Sequence, residues 1–223
     1  MMKSLETLKE NIEKLKRDGV LLCAVTKTRS ADEINMAIEA GITDIGENKV
    51  QEIIDKYPHV NNVRWHMIGH LQTNKVKQII DKVDLIHSVD SLRLAEEIDK
   101  RAGQHGKPMN ILIQVNPAME ESKFGIAGED TGNLIKEILD KCPNVIIKGL
   151  MCMAPYFDDS EDTAVYFAAV KGLYDKYSGE INHERLDFTF LSMGMSHDFE
   201  VAIREGANLI RIGTAIFGER EYK

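Results

Sequence analysis

Short apolar runs alternate with stretches of helical spacing along almost the whole chain, and this alternation restricts the fold more than any other feature. Strands are expected at Leu21–Thr26, Thr43–Gly46, Arg64–Gly69, Asp84–Val89, Asn110–Val115, Val145–Met153, Asp187–Met193 and Leu209–Gly213. Helices are expected at Ala31–Ala40, Lys49–Lys56, Gln72–Asp81, Leu92–Ala102, Asp130–Lys141, Asp162–Tyr177 and Asp198–Glu205. One more precedes them over Lys3–Arg17, with Leu5, Leu8, Ile12 and Leu15 on one face and Gly19 as its stop. Gly41, Gly103, Gly179 and Gly206 stand where later helices should end. Such a series predicts a parallel (β/α)8 barrel of the TIM type with an extra N-terminal helix. A doubly wound open sheet is the alternative. The 223 residues suit one such barrel, and no linker, repeat or low-complexity tract divides residues 1–223 into more than a single domain.

In this fold the chemistry gathers where the strands end. Leu21–Thr26 runs directly into Lys27, and Ser30 or Asp32 can cap the helix that follows. A lysine at the end of a core strand either snorkels to water or acts as an amine nucleophile. Position alone favours the first reading; the surroundings favour the second. Gly46-Glu47-Asn48 follows strand two, Met193-Gly194-Met195-Ser196 follows strand seven, and Arg211-Ile212-Gly213-Thr214 closes strand eight. Small and hydroxyl residues after strands seven and eight are what barrels use to hold phosphate, which makes Ser196, Gly213 and Thr214 the expected cradle. Period-two alternation turns Cys23 and Val25 inward with Lys27, turns Leu22, Ala24 and Thr26 toward helices, and puts Leu209 inward with Arg211. An interior arginine needs an acceptor. A phosphorylated aldehyde with a ring nitrogen satisfies amine, cradle and arginine together, and pyridoxal 5'-phosphate is such a molecule. A Schiff-base aldolase acting on a phosphosugar would use the same lysine and phosphate site.

Composition narrows the classes. A net charge of -8 without a long basic run argues against nucleic acid and anionic membranes. No apolar stretch is long enough to span a bilayer and no apolar signal region opens the chain, so a cytoplasmic protein is expected. Cys23, Cys142 and Cys152 form no CxxC and read as reduced thiols. His66 and His70 lie on a strand-to-loop segment where a spacing of four does not share a face, so no metal site is expected. His87 reads as a hydrogen-bonded barrel histidine and Trp65 as core. The longest loops, Asn116–Gly128 and Ala154–Glu161, lie at the carboxyl face, and Glu120-Glu121-Ser122-Lys123 decorates the first of them as surface, lid or partner contact.

The stretches Ala24-Val25-Thr26-Lys27-Thr28, Gly46-Glu47-Asn48-Lys49-Val50-Gln51-Glu52, Trp65 to Lys75, His87-Ser88-Val89-Asp90, Glu121 to Gly125, Leu191 to Ser196 and Arg211 to Gly218 together resemble the pyridoxal phosphate homeostasis protein family. These are single-domain relatives of the alanine racemase N-terminal barrel domain. Thr26 and Ile45 stand where Ser and Phe are common in the family. The resemblance implies that Lys27 carries pyridoxal 5'-phosphate as a Schiff base. It places Asn48 near the phenolic oxygen, Arg211 at the pyridine nitrogen, and Met195, Ser196, Gly213 and Thr214 around ring and phosphate. The implied function is that of a carrier and regulator in vitamin B6 homeostasis and of amino and keto acid pools, with apo pyridoxal phosphate enzymes as partners. A monomer or weak dimer is expected. A pyridoxal-dependent amino-acid racemase is the alternative. In alanine racemase a tyrosine from an added domain serves the second face of the cofactor; ten residues after Gly213 leave no room for one here. Tyr156 is the nearest substitute, so at most trace racemisation is expected.

Overall fold

The computed structural model describes residues 3–120 and 123–219. Eight parallel strands close into a barrel in sequence order. They are β1 (Leu21–Val25), β2 (Asp44–Glu47), β3 (Arg64–Met67), β4 (Leu85–Val89), β5 (Met109–Val115), β6 (Val145–Cys152), β7 (Leu186–Ser192) and β8 (Leu209–Ile212). Closure sets β1 beside β8, in register from Leu21↔Leu209 to Ala24↔Ile212. The helices are α1 (Leu5–Leu15), α2 (Ala31–Glu39), α3 (Val50–Lys56), α4 (Leu92–His105), α5 (Thr131–Lys141), α6 (Ala164–Glu180), α7 (Phe199–Arg204) and the single turn α8 (Thr214–Phe217). The expected barrel with its leading helix is therefore the architecture found, and each expected strand is present within a residue or two.

The pleat sorts the strand residues into two cores. Cys23, Leu85, Leu112, Met151 and Leu209 form the small inner cluster, as alternation required of Cys23 and Leu209. Leu22, Ala24, Ile210 and Ile212 face outward into the larger layer shared with Leu8, Ile34, Ile98, Ile138 and Phe167 of the helices. Burying two layers of branched side chains drives the fold. The pairing of β6 with β7 shifts between Ile147 and Gly149. Gly149 has φ +137°, and a Cβ there would meet the Phe190 carbonyl at 1.9 Å, so only glycine fits this irregularity.

Four expectations are corrected. The leading helix α1 already ends at Leu15, and Gly19 is not its stop but part of the turn between Arg17 and Val20, at φ 73°. Gln72–Asp81 is no α-helix but a 3-10 segment, Thr73–Gln78. The Val76 carbonyl accepts from both Ile79 N and Ile80 N, so the ladder ends there while Val76, Ile79 and Ile80 are buried. Gly103 does not end α4; the helix runs on to Gly106, which caps it at φ +65°. Gly103 is small because Asn144 packs on it, with Nδ2 2.9 Å from where a Cβ would sit. Gly179 lies inside α6, which ends one residue later. Gly41 and Gly206 do follow helix ends at positive φ.

Candidate functional site

Lys27 is half-buried one residue beyond Thr26, at the carboxyl end of the barrel. Its loop is held on both sides. Thr26 N donates to Gly46 O at 3.0 Å, and Arg29 N donates back to Thr26 O at 3.0 Å. Ser30 then caps α2 in a reciprocal box with Glu33. Thr28 has φ 67°, a left-handed conformation that costs a β-branched residue energy, and its N–H donates to Glu52 Oε2 at 2.7 Å. Lys56 of α3 ties the loop together: its Nζ donates to Thr26 O at 2.9 Å, Glu47 Oε1 at 2.7 Å and Glu52 Oε2 at 2.7 Å. Thr26 Oγ1 also donates to Glu47 Oε1 at 2.7 Å. Burial pushes the Glu47 carboxyl up, against the opposing pull of Lys56 and Thr26. Burial also raises Glu52, but Lys56 and the Thr28 N–H outweigh it and hold that carboxyl down. Sequence reasoning gave these three residues no role. The signals available were the i,i+4 spacing of Glu52 and Lys56 and an acid, Glu47, ending a buried strand.

Asn48 follows Glu47 at the end of β2. Its side-chain Oδ1 is buried and has no hydrogen-bond partner among the described residues. The segment after β3 lies against it: Ile68 N donates to Glu47 O at 2.9 Å, and Gly69 touches the Asn48 backbone.

On the other side of β1, Arg211 of β8 is interior, only 4% exposed. Its Nη1 donates to Ser192 O at 2.9 Å and Ser192 Oγ at 2.7 Å, and its Nη2 donates to Cys152 O at 2.9 Å. The protein itself thus supplies acceptors for three of the five N–H donors of a guanidinium, which the sequence reading had left to a ligand. Burial lowers its pKa from the usual arginine value. Arg211 N donates to Gly194 O at 3.0 Å, which brings the β7 loop beside β8. In that loop Met195 is exposed, Ser196 is half-buried, and Met195 N donates to Asp198 Oδ1 at 2.6 Å. A Cβ on Gly213 would lie 3.3 Å from the Val25 carbonyl, so the Gly213–Thr214 turn sits against the end of β1, two residues before Lys27.

The inner histidines join this side of the barrel. His66 Nε2 is 3.0 Å from Asp44 Oδ1, His66 Nδ1 is 2.9 Å from His87 Nε2, and His87 Nδ1 is 3.1 Å from Ser192 Oγ. His87 is therefore the hydrogen-bonded barrel histidine expected. Burial, with His66 and Arg211 nearby, pushes it well below its ordinary value near 6.5. Burial also raises the Cys152 thiol to about 12, so it carries no charge.

On the rim, His70 stacks on Phe124 with centroids 3.8 Å apart. Lys123 Nζ donates to Ala154 O at 2.9 Å and pairs with Glu120 at 3.3 Å, joining the two long loops. Glu121 and Ser122 of that cluster lie outside the described residues. Tyr156 is 77% exposed and stacks on His197. No group of three or more His, Cys, Asp or Glu able to hold a metal occurs among the described residues.

The residues present suit a planar phosphorylated aldehyde. Lys27 and the Gly213–Thr214 turn lie at neighbouring strand ends, and a buried Asn48 oxygen lacks a partner. Arg211 retains N–H donors beyond the three bonds it makes.

The model of the family described as alanine racemase, N-terminal domain, matches residues 4–221. A pyridoxal phosphate homeostasis protein of Aquifex aeolicus is 43% identical over 203 residues, covering 90% of this chain and 87% of its own. The solved structure of PipY of Synechococcus elongatus, with PLP bound, has a TM-score of 0.86 and 34% identity, covering 95% of this chain and 100% of that one. Alanine racemase of Clostridium difficile shares the fold, at a TM-score of 0.76 and 15% identity, over 98% of this chain and 60% of its own.

Proposed function

The chain belongs to the pyridoxal phosphate homeostasis proteins, within the alanine racemase N-terminal domain family, and from that premise we propose that it binds pyridoxal 5'-phosphate covalently through Lys27 and acts in the cytoplasm as a carrier and regulator of that cofactor and of the amino and keto acid pools that depend on it. The observation that carries this reading is the convergence of Lys27, Asn48, Arg211 and the Gly213–Thr214 turn at the adjacent ends of β1, β2 and β8. The bound structure of PipY supports it.

When bound, the cofactor supplies an aldehyde for a primary amine and a ring that withdraws electrons. Lys27 is the amine, and the Lys56 clamp fixes the loop from which it projects. Ser196, Thr214 and Gly213 hold the phosphate, the hydroxyls donating charge-assisted bonds. Asn48 meets the phenolic oxygen, and Met195 borders the ring. Arg211 donates a hydrogen bond to the ring nitrogen. A guanidinium has no proton to give up at neutral pH, so Arg211 would offer the ring nitrogen a hydrogen bond without protonating it.

Racemisation further needs an acid or base on each face of the substrate carbon. Lys27 serves one. Tyr156, exposed on the rim and stacked on His197, is poorly placed for the other. We therefore assign storage and delivery of the cofactor rather than turnover. The test is transfer: the loaded protein is mixed with an apo pyridoxal enzyme, and activity should return faster than with equimolar free cofactor. Recovery no faster than with free cofactor overturns delivery. Exchange of amino-acid α-protons well above the free-cofactor rate, lost in Lys27→Ala, makes the protein an enzyme instead.

A further inference from the structure

A continuous line of buried polar side chains crosses the barrel interior from the start of β2 to β8. It runs Asp44, His66, His87, Ser192, Arg211, with successive separations of 3.0, 2.9, 3.1 and 2.7 Å. All five residues are buried. Barrel interiors are usually filled by branched apolar side chains, and a buried polar line costs desolvation unless each member is satisfied.

The ends dictate how the protons lie. Arg211 can only donate. Asp44 can only accept: burial raises its carboxyl, but hydrogen bonds from His66, Arg64 and Thr43 outweigh this and hold it far below the usual carboxylate range, ionised. A neutral imidazole offers one donor and one acceptor. Arg211 therefore donates to Ser192, and Ser192 donates to His87 Nδ1. His87 Nε2–H donates to His66 Nδ1, and His66 Nε2–H donates to Asp44. Every bond points toward Asp44. The opposite tautomer at His87 would set two donors at Ser192 Oγ and leave the hydroxyl proton without this acceptor. Cys23 and Cys152 beside Arg211 are held as neutral thiols by burial and supply no counter-charge.

We infer that Asp44, His66, His87 and Ser192 act as positioning residues that hold Arg211 in one orientation as a pure donor toward the cofactor's ring nitrogen. The inference rests on the proposed binding of pyridoxal phosphate for its consequence, but the chain's polarity is a property of the protein alone. Asp44 is anchored at the base of the barrel by Arg64, whose Nε donates to Oδ1 at 2.7 Å and Nη2 to Oδ2 at 2.6 Å. The arginine is thus oriented, through four successive hydrogen bonds, by a carboxylate whose residue pairs in register with the same Cys23 of β1 as Arg211 does.

Two measurements test this. Nitrogen NMR of the unliganded protein labelled in histidine should show His66 and His87 both protonated at Nε2 and bare at Nδ1; a proton on His87 Nδ1 overturns the chain. The second uses ring-labelled pyridoxal phosphate bound to Ser192→Ala, His87→Gln and His87→Asn. Asn places its oxygen where His87 Nδ1 lies and keeps the acceptor for Ser192; Gln reaches the Nε2 position and does not. Ser192→Ala and His87→Gln should bind about 3–10-fold more weakly, the effect of one lost hydrogen bond, and move the ring-nitrogen resonance. His87→Asn should restore both values to near the parent's. Parent-like resonance and affinity in Ser192→Ala and His87→Gln, or His87→Asn behaving as His87→Gln, refutes the positioning role. If the parent forms no lysine-linked adduct, the binding proposal fails while the histidine tautomers still report on the chain.

Discussion

Gly69 and Asn48 lie backbone against backbone: a Cβ at position 69 would stand 2.2 Å from the Asn48 carbonyl oxygen and 2.8 Å from its Cα. Neither is a flexible side-chain end that could move aside. Gly69→Ala should destabilise the protein by about 1–3 kcal/mol, the usual cost of overpacking. It should also displace Asn48 and weaken cofactor retention. Denaturant midpoints and a cofactor titration measure the two effects, and an unchanged titration would remove Asn48 from the site.

Lys27→Ala should abolish covalent attachment yet leave measurable affinity, because the residues of β7 and β8 do not depend on the amine. Borohydride reduction followed by peptide mapping should place the modified lysine at 27. Label on Lys49 or Lys75 would show the assignment to be wrong.

Ser196→Ala and Thr214→Ala should each weaken retention by about 1.5–3 kcal/mol, the range for a hydrogen bond to a charged group. Pyridoxal lacking its phosphate should bind the parent poorly. Equal affinity for the two forms of the vitamin would dispose of the cradle.

Lys56→Met leaves Glu47 and Glu52 without their cation under the Lys27 loop. Glu47 is fully buried, so breaking this pair should cost about 3–5 kcal/mol. Adding Glu47→Gln should recover part of the loss. If the double variant is no more stable than Lys56→Met, the buried charge is not the cause.

Stability should fall on mild acidification. His87 has a folded pKa depressed below its ordinary value near 6.5 by burial, so the unfolded chain takes up a proton there first. Its contribution is complete above 6.5 and is lost as pH falls from there toward the depressed folded value. Asp44, also depressed, keeps its contribution until far more acid conditions. Glu47, raised by burial, works in the opposite direction above the ordinary carboxylate range. Urea midpoints compared between pH 7.5 and 5.5 should drop in the parent and drop less in His87→Asn. Equal slopes in the two proteins would mean that His87 is not the group responsible.

The strands were legible because each is a short apolar run bounded by turn residues, and alternation alone turned Cys23 and Leu209 inward. The positions at the strand ends were legible for the same reason: Lys27, Asn48 and Gly213 each follow a bounded run. Partnerships across the barrel were not. Ser192 and His87 lie 105 residues apart, and nothing in either local sequence announces the other. Lys56 reads as the exposed end of a short helix until its three acceptors are seen. Gly103 looks like a stop signal because the other use of a small residue, admitting Asn144, depends on a neighbour far along the chain.

The seam between β7 and β8 has a single register pair, Ser192↔Leu209, whereas β1 and β8 share four. Much of what joins β7 to β8 is side-chain work by Arg211 and Asn208. In the proposed site the cofactor spans the same gap, touching the β7 loop on one side and β8 with β1 on the other. It would then act as a clasp on a seam held by a single register pair. A chain emerging from the ribosome has no complete site until residue 214 has been made and the ring has shut. Cofactor present at 100 times its dissociation constant would add about 2.7 kcal/mol to the closed form. The lifetime of the protein against proteolysis would thereby follow the supply of the vitamin, making abundance itself a gauge of the pool.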